Sequence, residues 1–182
     1  IKGVCVHHDG GCLGAAMTRE VWERRLAALK EMGCNAIRTS HNPHMPELYE
    51  LCDEMGFLVM DEAFDEWENP KNKWSTGHYV YPPRHQGYFE DFPEWHEKDL
   101  AAMVLRDRNH PSVIMWSIGN EIQERSDDAG VEIAERLRNI VKKLDPSRPV
   151  TAAINDYWDN PQLKWKEDAV KAMQHLDVAG YN

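Results

Sequence analysis

The chain has 182 residues, a formal net charge of −10 and a pI near 5.3. This length suggests one domain that can bury a sizeable core. The acidic balance argues against nucleic acid and anionic membranes as partners, and no apolar run is long enough to span a membrane.

Apolar runs typical of buried parallel strands alternate along the chain with amphipathic, helix-like segments. The predicted strands are Lys2–Val6, Asn35–Thr39, Phe57–Asp61, Val113–Ile118, Val150–Ile154 and Asp177–Tyr181. The predicted helices are Arg19–Met32 with Thr18 as its N-cap, two segments opened by Pro46 and Pro93, a segment ended by Asp145, and a weaker one between Asp156 and Gln174. Each crossover is long enough to connect parallel strands, so the sequence predicts an α/β fold.

Polar side chains follow the predicted strands at the point where each strand ends. These groups are His7-His8-Asp9, Arg38 with Ser40-His41-Asn42, Asp61-Glu62, Asn120-Glu121, Asn155-Asp156 and Tyr181-Asn182. A single such residue is usually a surface or capping residue, and Glu121 could simply cap the next helix. Recurrence at six strand ends instead fits a barrel whose upper face is a polar active site.

Four segments carry a resemblance to a known family: Lys2–Asp9, Asn35–Pro43, Val59–Trp67 and Arg106–Glu121. Taken in order, they resemble the catalytic barrel of glycoside hydrolase family 2, the β-galactosidase and β-glucuronidase group. The resemblance implies a (β/α)₈ TIM-barrel fold, truncated here to about six βα units. On this view residues 1–182 are a partial catalytic domain, without the last two strands and without the β-sandwich domains that precede the barrel in the family.

The resemblance also implies a retaining glycosidase reaction that uses two carboxylates. Glu121 matches the general acid/base, which protonates the departing glycosidic oxygen and then activates water. Asn120 matches the residue that hydrogen-bonds the sugar 2-hydroxyl. The implied partner is a β-linked sugar, most simply a terminal β-galactoside, although the sequence leaves the sugar open among galactoside, glucuronide and mannoside.

Further residues are implied to surround the sugar. His7 and His41 match histidines that line the sugar site, and Arg38 is expected to hold nearby carboxylates by charge-assisted bonds. Tyr181 matches a tyrosine that orients the nucleophile. Trp67 lies on the long, aromatic-rich connection between Phe64 and Phe89 and is expected either to stack on the sugar or to pin this loop to the barrel.

The nucleophile of this family is a glutamate on the seventh strand, and the predicted strands number six. The isolated chain is therefore expected to be inactive and to need the remaining domains of a parent enzyme. Its open first and last strands are expected to favour self-association. The alternative function is a non-catalytic α/β binding or scaffold module derived from a hydrolase.

A metal site is a further expectation. Some β-galactosidases of the family bind Mg²⁺ through a glutamate at the position of Glu66 and a histidine two residues later, where this chain has Glu68. A carboxylate can also serve Mg²⁺, which prefers oxygen ligands. No other cofactor is expected. The sequence leaves the compartment of this soluble protein open, with the bacterial cytoplasm and periplasm both compatible with it.

Four cysteines show no paired spacing of the kind that metal sites use. They are expected to be free thiols, with a disulfide between two of them left open: Cys5, Cys12, Cys34 and Cys52.

Overall fold

The structure, a computed structural model, describes residues 1–71, 87–155, 171 and 173–182, together with the backbone of 74–75 and 78–79. Six parallel strands in these segments form one sheet whose spatial order follows the chain. They are β1 Gly3–His7, β2 Ala36–Ser40, β3 Leu58–Glu62, β4 Val113–Asn120, β5 Val150–Ile154 and β6 Gly180–Tyr181. This sheet is a half-barrel, as the sequence predicted.

Helical segments connect the strands. The α-helices among the described residues are α1 Arg19–Glu31, α2 Pro46–Met55, α3 Phe92–Asp107 and α4 Asp128–Leu144. Short 3-10 turns span Gly11–Leu13, Tyr88–Glu90 and Gln123–Ser126, and a small antiparallel hairpin pairs Trp74–Ser75 with His78–Tyr79. The alternation of parallel strands and helices confirms the predicted α/β class.

The helix boundaries follow local sequence chemistry. Gly56 ends α2 with a left-handed backbone (φ 76°), and its N–H donates to the carbonyl of Cys52. Asp127 caps α4, because its carboxylate accepts the N–H of Gly130 at 2.8 Å. Thr18 occupies the predicted N-cap position, but its side chain accepts no capping bond from the described residues of α1.

The main core lies between the sheet and its helical layer. Its largest fully buried side chains include Trp22 from α1, Leu48 from α2 and Trp116 from β4. The indole N–H of Trp116 donates to Asp145 at 2.9 Å, so this ring is buried without leaving its polar group unpaired. The helices therefore hold the sheet from one side and leave its other face to the site.

Strand alternation sorts the side chains of β2 and β3 between the two faces. Thr39 and Asp61 point toward the helices, where the hydroxyl of Tyr49 on α2 donates to Asp61 at 2.7 Å. Arg38 and Glu62 point to the opposite, inner face and meet there. Register pairs Arg38 with Cys5 of β1, which places both on the inner face.

Several further predictions can be compared with the fold. β6 is shorter than predicted, and nearly all of the weak helix predicted between Asp156 and Gln174 lies outside the described residues. β1 and β6 are the two edges of the sheet, while self-association through them stays a prediction. All four cysteines are free thiols, as expected. Across the described residues, no helix has both the length and the apolar character needed to cross a bilayer.

Candidate active site

Glu121 leaves the sheet at the carboxyl end of β4, where active sites of parallel barrels lie. Its backbone is left-handed (φ 47°), an uncommon conformation for a residue with a side chain. The N–H of Glu121 donates to the carbonyl of Ala153 on β5 at 2.7 Å, which anchors the turn. A residue keeps such a strained backbone only when the surrounding structure holds it in place, and residues of this kind cluster at functional sites.

Arg38 joins three strand ends through one guanidinium group. Its Nε donates to Glu62 at 2.9 Å, its Nη2 to the side-chain oxygen of Asn120 at 2.5 Å, and its Nη1 to Asn182 at 3.1 Å. Only 12% of the Arg38 side chain is exposed, so these contacts are made largely out of water. Arg38 thus pairs with the carboxylate of Glu62, while its role in the site stays a prediction.

Glu62 is fully buried and accepts three hydrogen bonds on the inner face. One oxygen faces Arg38 and the hydroxyl of Ser117 at 2.7 Å, and the other lies 2.6 Å from Nδ1 of His41. An ionised carboxylate only accepts hydrogen bonds, so the contact with Glu62 requires the proton of His41 on Nδ1, and the guanidinium of Arg38 then lies 3.2 Å from that nitrogen without donating to it. This leaves Nε2 of His41 for other partners. The ring of His7 lies edge-on to that of His41, with 5.2 Å between their centres.

The side-chain amide of Asn120 is oriented on both sides. Its oxygen accepts from Arg38, while its Nδ2 donates to Asp65 at 3.0 Å. Asn182 then links the amide to the carboxylate, since its Nδ2 lies 3.3 Å from Asn120 Oδ1 and 2.5 Å from Glu121 Oε1. Within the described part of the chain, the amide nitrogen of Asn120 donates only to Asp65, so its second N–H can donate to a ligand.

Two adjoining cavities open at this end of the sheet. A cavity of about 360 Å³ is lined by His7, His8, Asp9, Ser40, His41, Asn42 and Asp65. A second, of about 420 Å³, shares His41, Asn42 and Asp65 with the first and extends to Glu66, Tyr88 and α3. Both volumes lie in the range of small-ligand pockets.

The structure brings most of the predicted site residues together. Arg38, His41, Asn120 and Glu121 belong to one hydrogen-bond network, and His7 contacts it through His41. Their roles in binding and catalysis remain predictions.

One of the predicted substrate contacts lies in the core, and another lies at the edge of the sheet. Trp67 is a correction, because its ring is 0% exposed and its indole N–H donates to the carbonyl of Ile118 at 2.8 Å. It therefore pins the loop to the barrel, which was the structural alternative. Tyr181 lies on the edge strand β6 with 56% of its surface exposed.

Sequence reasoning gave no specific role to four residues that complete the network: Glu62, Asp65, Ser117 and Asn182. The positions of Glu62 and Asn182 at strand ends were a usable signal. The contact of Asp65 with Asn120 depends on the path of the loop after β3, which no local pattern encodes.

The residues proposed for Mg²⁺ do not fit a metal centre. Glu66 is 1% exposed and accepts the backbone N–H of Lys71 at 2.8 Å, while Glu68 pairs with Arg136 at 3.1 Å. Among the described residues, no three His, Cys, Asp or Glu side chains are grouped so that they could share an ion.

This arrangement, a carboxylate beside an oriented amide at the end of a barrel strand, is the kind of site that glycosidases use. A family model described as "Glycosyl hydrolases family 2, TIM barrel domain" matches residues 1–176, so the chain belongs to glycoside hydrolase family 2.

Named relatives agree with this membership. The chain is 47% identical to "Beta-galactosidase BoGH2A" of Bacteroides ovatus, with 100% of this chain and 23% of that protein covered. It is 33% identical to "Beta-glucuronidase" of Paenibacillus borealis, with 100% and 28% covered. A crystal structure of a family 2 member from Bacteroides cellulosilyticus matches with a TM-score of 0.81 and 45% identity, covering 100% of this chain and 21% of that one. The chain thus spans about a quarter of the length of these relatives.

Proposed function

We propose that this chain provides the acid/base half of the active site of a retaining β-glycosidase that removes terminal β-galactosides. One observation carries the proposal: Glu121 is held in a left-handed turn beside Asn120 at the carboxyl end of β4. The name of the Bacteroides ovatus relative supports galactosides, whereas the Paenibacillus borealis relative is named a β-glucuronidase. The sugar is therefore the part of the proposal that experiment must decide first.

In this proposal Glu121 protonates the glycosidic oxygen as the leaving group departs and later removes a proton from the attacking water. The free N–H of Asn120 donates to the sugar 2-hydroxyl, a contact that strengthens in the transition state. His41 presents Nε2 to the sugar because Glu62 engages Nδ1. His7 lies beside it in the same cavity. Tyr181, on the edge strand β6, orients the second carboxylate.

Retention requires that second carboxylate about 5–5.5 Å from the first, across the sugar. We propose that it comes from another part of a longer polypeptide, since this chain covers only 23% of its Bacteroides ovatus relative. The 182 residues alone should then hydrolyse aryl β-galactosides no faster than background. Their exposed edges β1 and β6 should also cause self-association. A monomer in light scattering, or robust activity of the isolated chain, would contradict these two expectations.

The deciding experiment compares p-nitrophenyl β-galactoside with p-nitrophenyl β-glucuronide in the full-length protein, with and without Glu121→Gln. We expect preference for the galactoside and a loss of about 10²–10⁴-fold in turnover for the variant, the range of general acid–base catalysis. Substrates with poor leaving groups should suffer most, because they need protonation most. Azide should rescue the deglycosylation step, in which Glu121 acts as base.

A matched control is Glu135→Gln, which changes an exposed glutamate on α4. It should retain full turnover. Normal turnover by Glu121→Gln would rule out the acid/base assignment. Saturable sugar binding without hydrolysis by the full-length protein would favour the non-catalytic binding module instead. Cell fractionation tests the bacterial cytoplasm or periplasm as the compartment.

A further inference from the structure

Lys71 is an unusually enclosed lysine on the loop after β3. Only 13% of its side chain is exposed, and its ammonium lies 2.6 Å from Oδ1 of Asp65. Lysine is normally among the most exposed residues, and a lysine is rarely enclosed unless its charge is paired. The loop therefore directs this charge inward, to one particular carboxylate.

The partner of Lys71 also contacts the proposed active site. The same oxygen of Asp65 accepts Nδ2 of Asn120 at 3.0 Å, so one carboxylate oxygen joins the ammonium to the amide. Asn120 immediately precedes Glu121. The orientation of the Asn120 amide depends on Asp65 from one side and Arg38 from the other. The ammonium beside Asp65 holds this carboxylate in place by a charge-assisted bond while it orients the amide.

The backbone of Lys71 engages the neighbouring carboxylate. Its N–H donates to Oε2 of Glu66 at 2.8 Å. The other oxygen of Glu66 packs closely on Gly87, where an added Cβ would lie only 1.8 Å from it. Glu66 is thus enclosed between Lys71 and Gly87. An octahedral Mg²⁺ needs six oxygen ligands at about 2.0–2.1 Å, for which this packing leaves little room.

Glu68 is held away from this cluster. Its carboxylate pairs with Arg136 of α4 at 3.1 Å, and both side chains are 45% exposed. Two carboxylates near the site therefore bind Lys71, and the third is engaged at the surface. The positive charge within this acidic cluster comes from the chain itself.

We propose that Lys71 is a positioning residue whose tethered ammonium orients Asp65 and, through it, the Asn120 amide, so that the site works without a resident divalent cation. The proposal rests on the proposed glycosidase function. It differs from a surface ion pair in one respect: the effect of Lys71 passes through the contact of Asn120 with the sugar 2-hydroxyl. The effect of Lys71 on catalysis should therefore disappear with a substrate that lacks the 2-hydroxyl.

The test uses the full-length enzyme and the variants Lys71→Met and Lys71→Arg. We expect Lys71→Met to lower kcat about 10- to 100-fold on p-nitrophenyl β-galactoside, the size of effect found when groups that orient a reacting site are removed. On the 2-deoxy analogue of the same substrate, the variant and the wild type should agree within about two-fold. Lys71→Arg should restore most of the loss because it retains the charge. The matched control Arg136→Met breaks the neighbouring Glu68 pair and should leave kcat unchanged on both substrates.

A double-mutant cycle guards against a general folding defect. Once Asp65→Asn is present, adding Lys71→Met should cost little more, because the carboxylate that needs the ammonium is gone. Equal losses for Lys71→Met on the normal and 2-deoxy substrates, or additive losses in the cycle, would overturn the positioning role.

The absence of a resident divalent cation is tested separately, by measuring Mg²⁺ binding instead of activity. Calorimetric titration of chelator-treated wild type with MgCl₂ should show no saturable binding, and the unfolding midpoint should not rise. Saturable binding that Glu66→Gln abolishes would establish a resident ion and overturn the proposal. Failure of the wild type to hydrolyse any β-glycoside would instead refute the proposed function, and this titration would still report on the cation.

Discussion

Asp61 and Glu62 are consecutive residues on β3 that face opposite sides of the sheet, and both are fully buried. Glu62 faces the inner side and accepts hydrogen bonds from Arg38, His41 and Ser117. Asp61 faces the helices and accepts from the hydroxyls of Tyr49 and Thr39. The two carboxyl groups have similar burial but very different neighbours.

The electrostatic surroundings of Asp61 are unfavourable for a charge. Burial, and next the neighbouring carboxyl of Asp107, raise the pKa of Asp61 well above its usual value. The second oxygen of Asp61 has no hydrogen-bond donor among the described residues. The carboxyl of Asp107 is nevertheless close enough for the two groups to share one proton. The surroundings of Asp61 therefore favour its neutral form, whereas Glu62 accepts hydrogen bonds from a guanidinium, a histidine and a hydroxyl. Burial alone does not distinguish these two carboxyl groups, but the charges of their neighbours do.

The largest expected effect comes from removing the charge of Glu62. Glu62→Gln leaves Arg38 without its buried counter-charge and releases His41, so the loss of a buried pair should cost about 3–5 kcal/mol of folding free energy. Misplacement of Arg38 and Asn120 should lower kcat/KM roughly 10²-fold. The measurements are denaturant unfolding and p-nitrophenyl β-galactoside kinetics in the full-length protein.

The neighbouring residue supplies the control for that prediction. Asp61→Asn is the same kind of change one position away, on the other face, and it should leave kcat/KM within about two-fold of wild type. If Glu62→Gln kept wild-type turnover, or Asp61→Asn lost it, the roles assigned to the inner and helix-facing sides of β3 would be wrong.

Asp61→Asn should instead change the free energy of unfolding, by less than Glu62→Gln and by more than Asp177→Asn. A raised pKa means that the folded protein binds this proton more tightly than the unfolded chain does. The resulting stability is complete below the ordinary aspartate pKa of about 3.9 and is lost as pH rises toward the folded-state pKa. Asparagine is neutral at every pH and avoids this loss. The variant should therefore gain on wild type by up to about 1.4 kcal/mol per pH unit in this window.

Denaturant unfolding at pH 5 and pH 8 measures this gain. Asp91→Asn, at an exposed position, is the control and should show no growing difference. A gain for Asp61→Asn that is equal at the two pH values would mean that Asp61 does not hold a proton in the folded state.

The residues themselves show how far sequence can predict this site. The order of the strands and the polar residues at their ends follow from local hydrophobic patterns, and Glu121, Asn120, Arg38 and His41 were placed together for that reason. The resemblance to the family then supplied roles that no pattern contains. The opposite orientations of Asp61 and Glu62 were also available in principle, because alternate residues of a strand face opposite sides.

Other features depend on tertiary structure. Trp67 lies near a strand end, as a substrate residue would, yet the loop turns its ring into the core. A register shift between Ser117 and Asn120 on β4 and the left-handed backbone of Glu121 set where the carboxylate leaves the sheet. Neither has a local signature, since no glycine marks the turn at Glu121 itself. The contacts of Lys71 likewise depend on the path of a loop.

Replacing a third carboxylate, Asp177, should change the free energy of unfolding least of the three. Its pH dependence should be opposite to that of Asp61→Asn. Asp177 lies before β6 and joins α4 to β5, accepting from Arg138 at 2.7 Å, Lys142 at 2.8 Å and the N–H of Val150 at 2.9 Å. Partial desolvation raises the pKa of Asp177, but the bonds from Lys142 and Arg138 outweigh it and lower the pKa to about 2.

The lowered pKa of Asp177 determines how its contribution to stability changes with pH. The charged form is favoured in the folded protein, so the stability that Asp177 contributes is present above about pH 3.9 and is lost as pH falls through about 2. Because 24% of its side chain is exposed, solvent screening reduces the contribution to about 1 kcal/mol. Asp177→Asn should cost this amount at pH 7 and almost nothing near pH 2, whereas the gain from Asp61→Asn grows toward high pH. Since the two residues share no partners, the double variant should show the sum of the two curves. A cost for Asp177→Asn that persisted unchanged into acid would show that packing, rather than its charge, links α4 to β5.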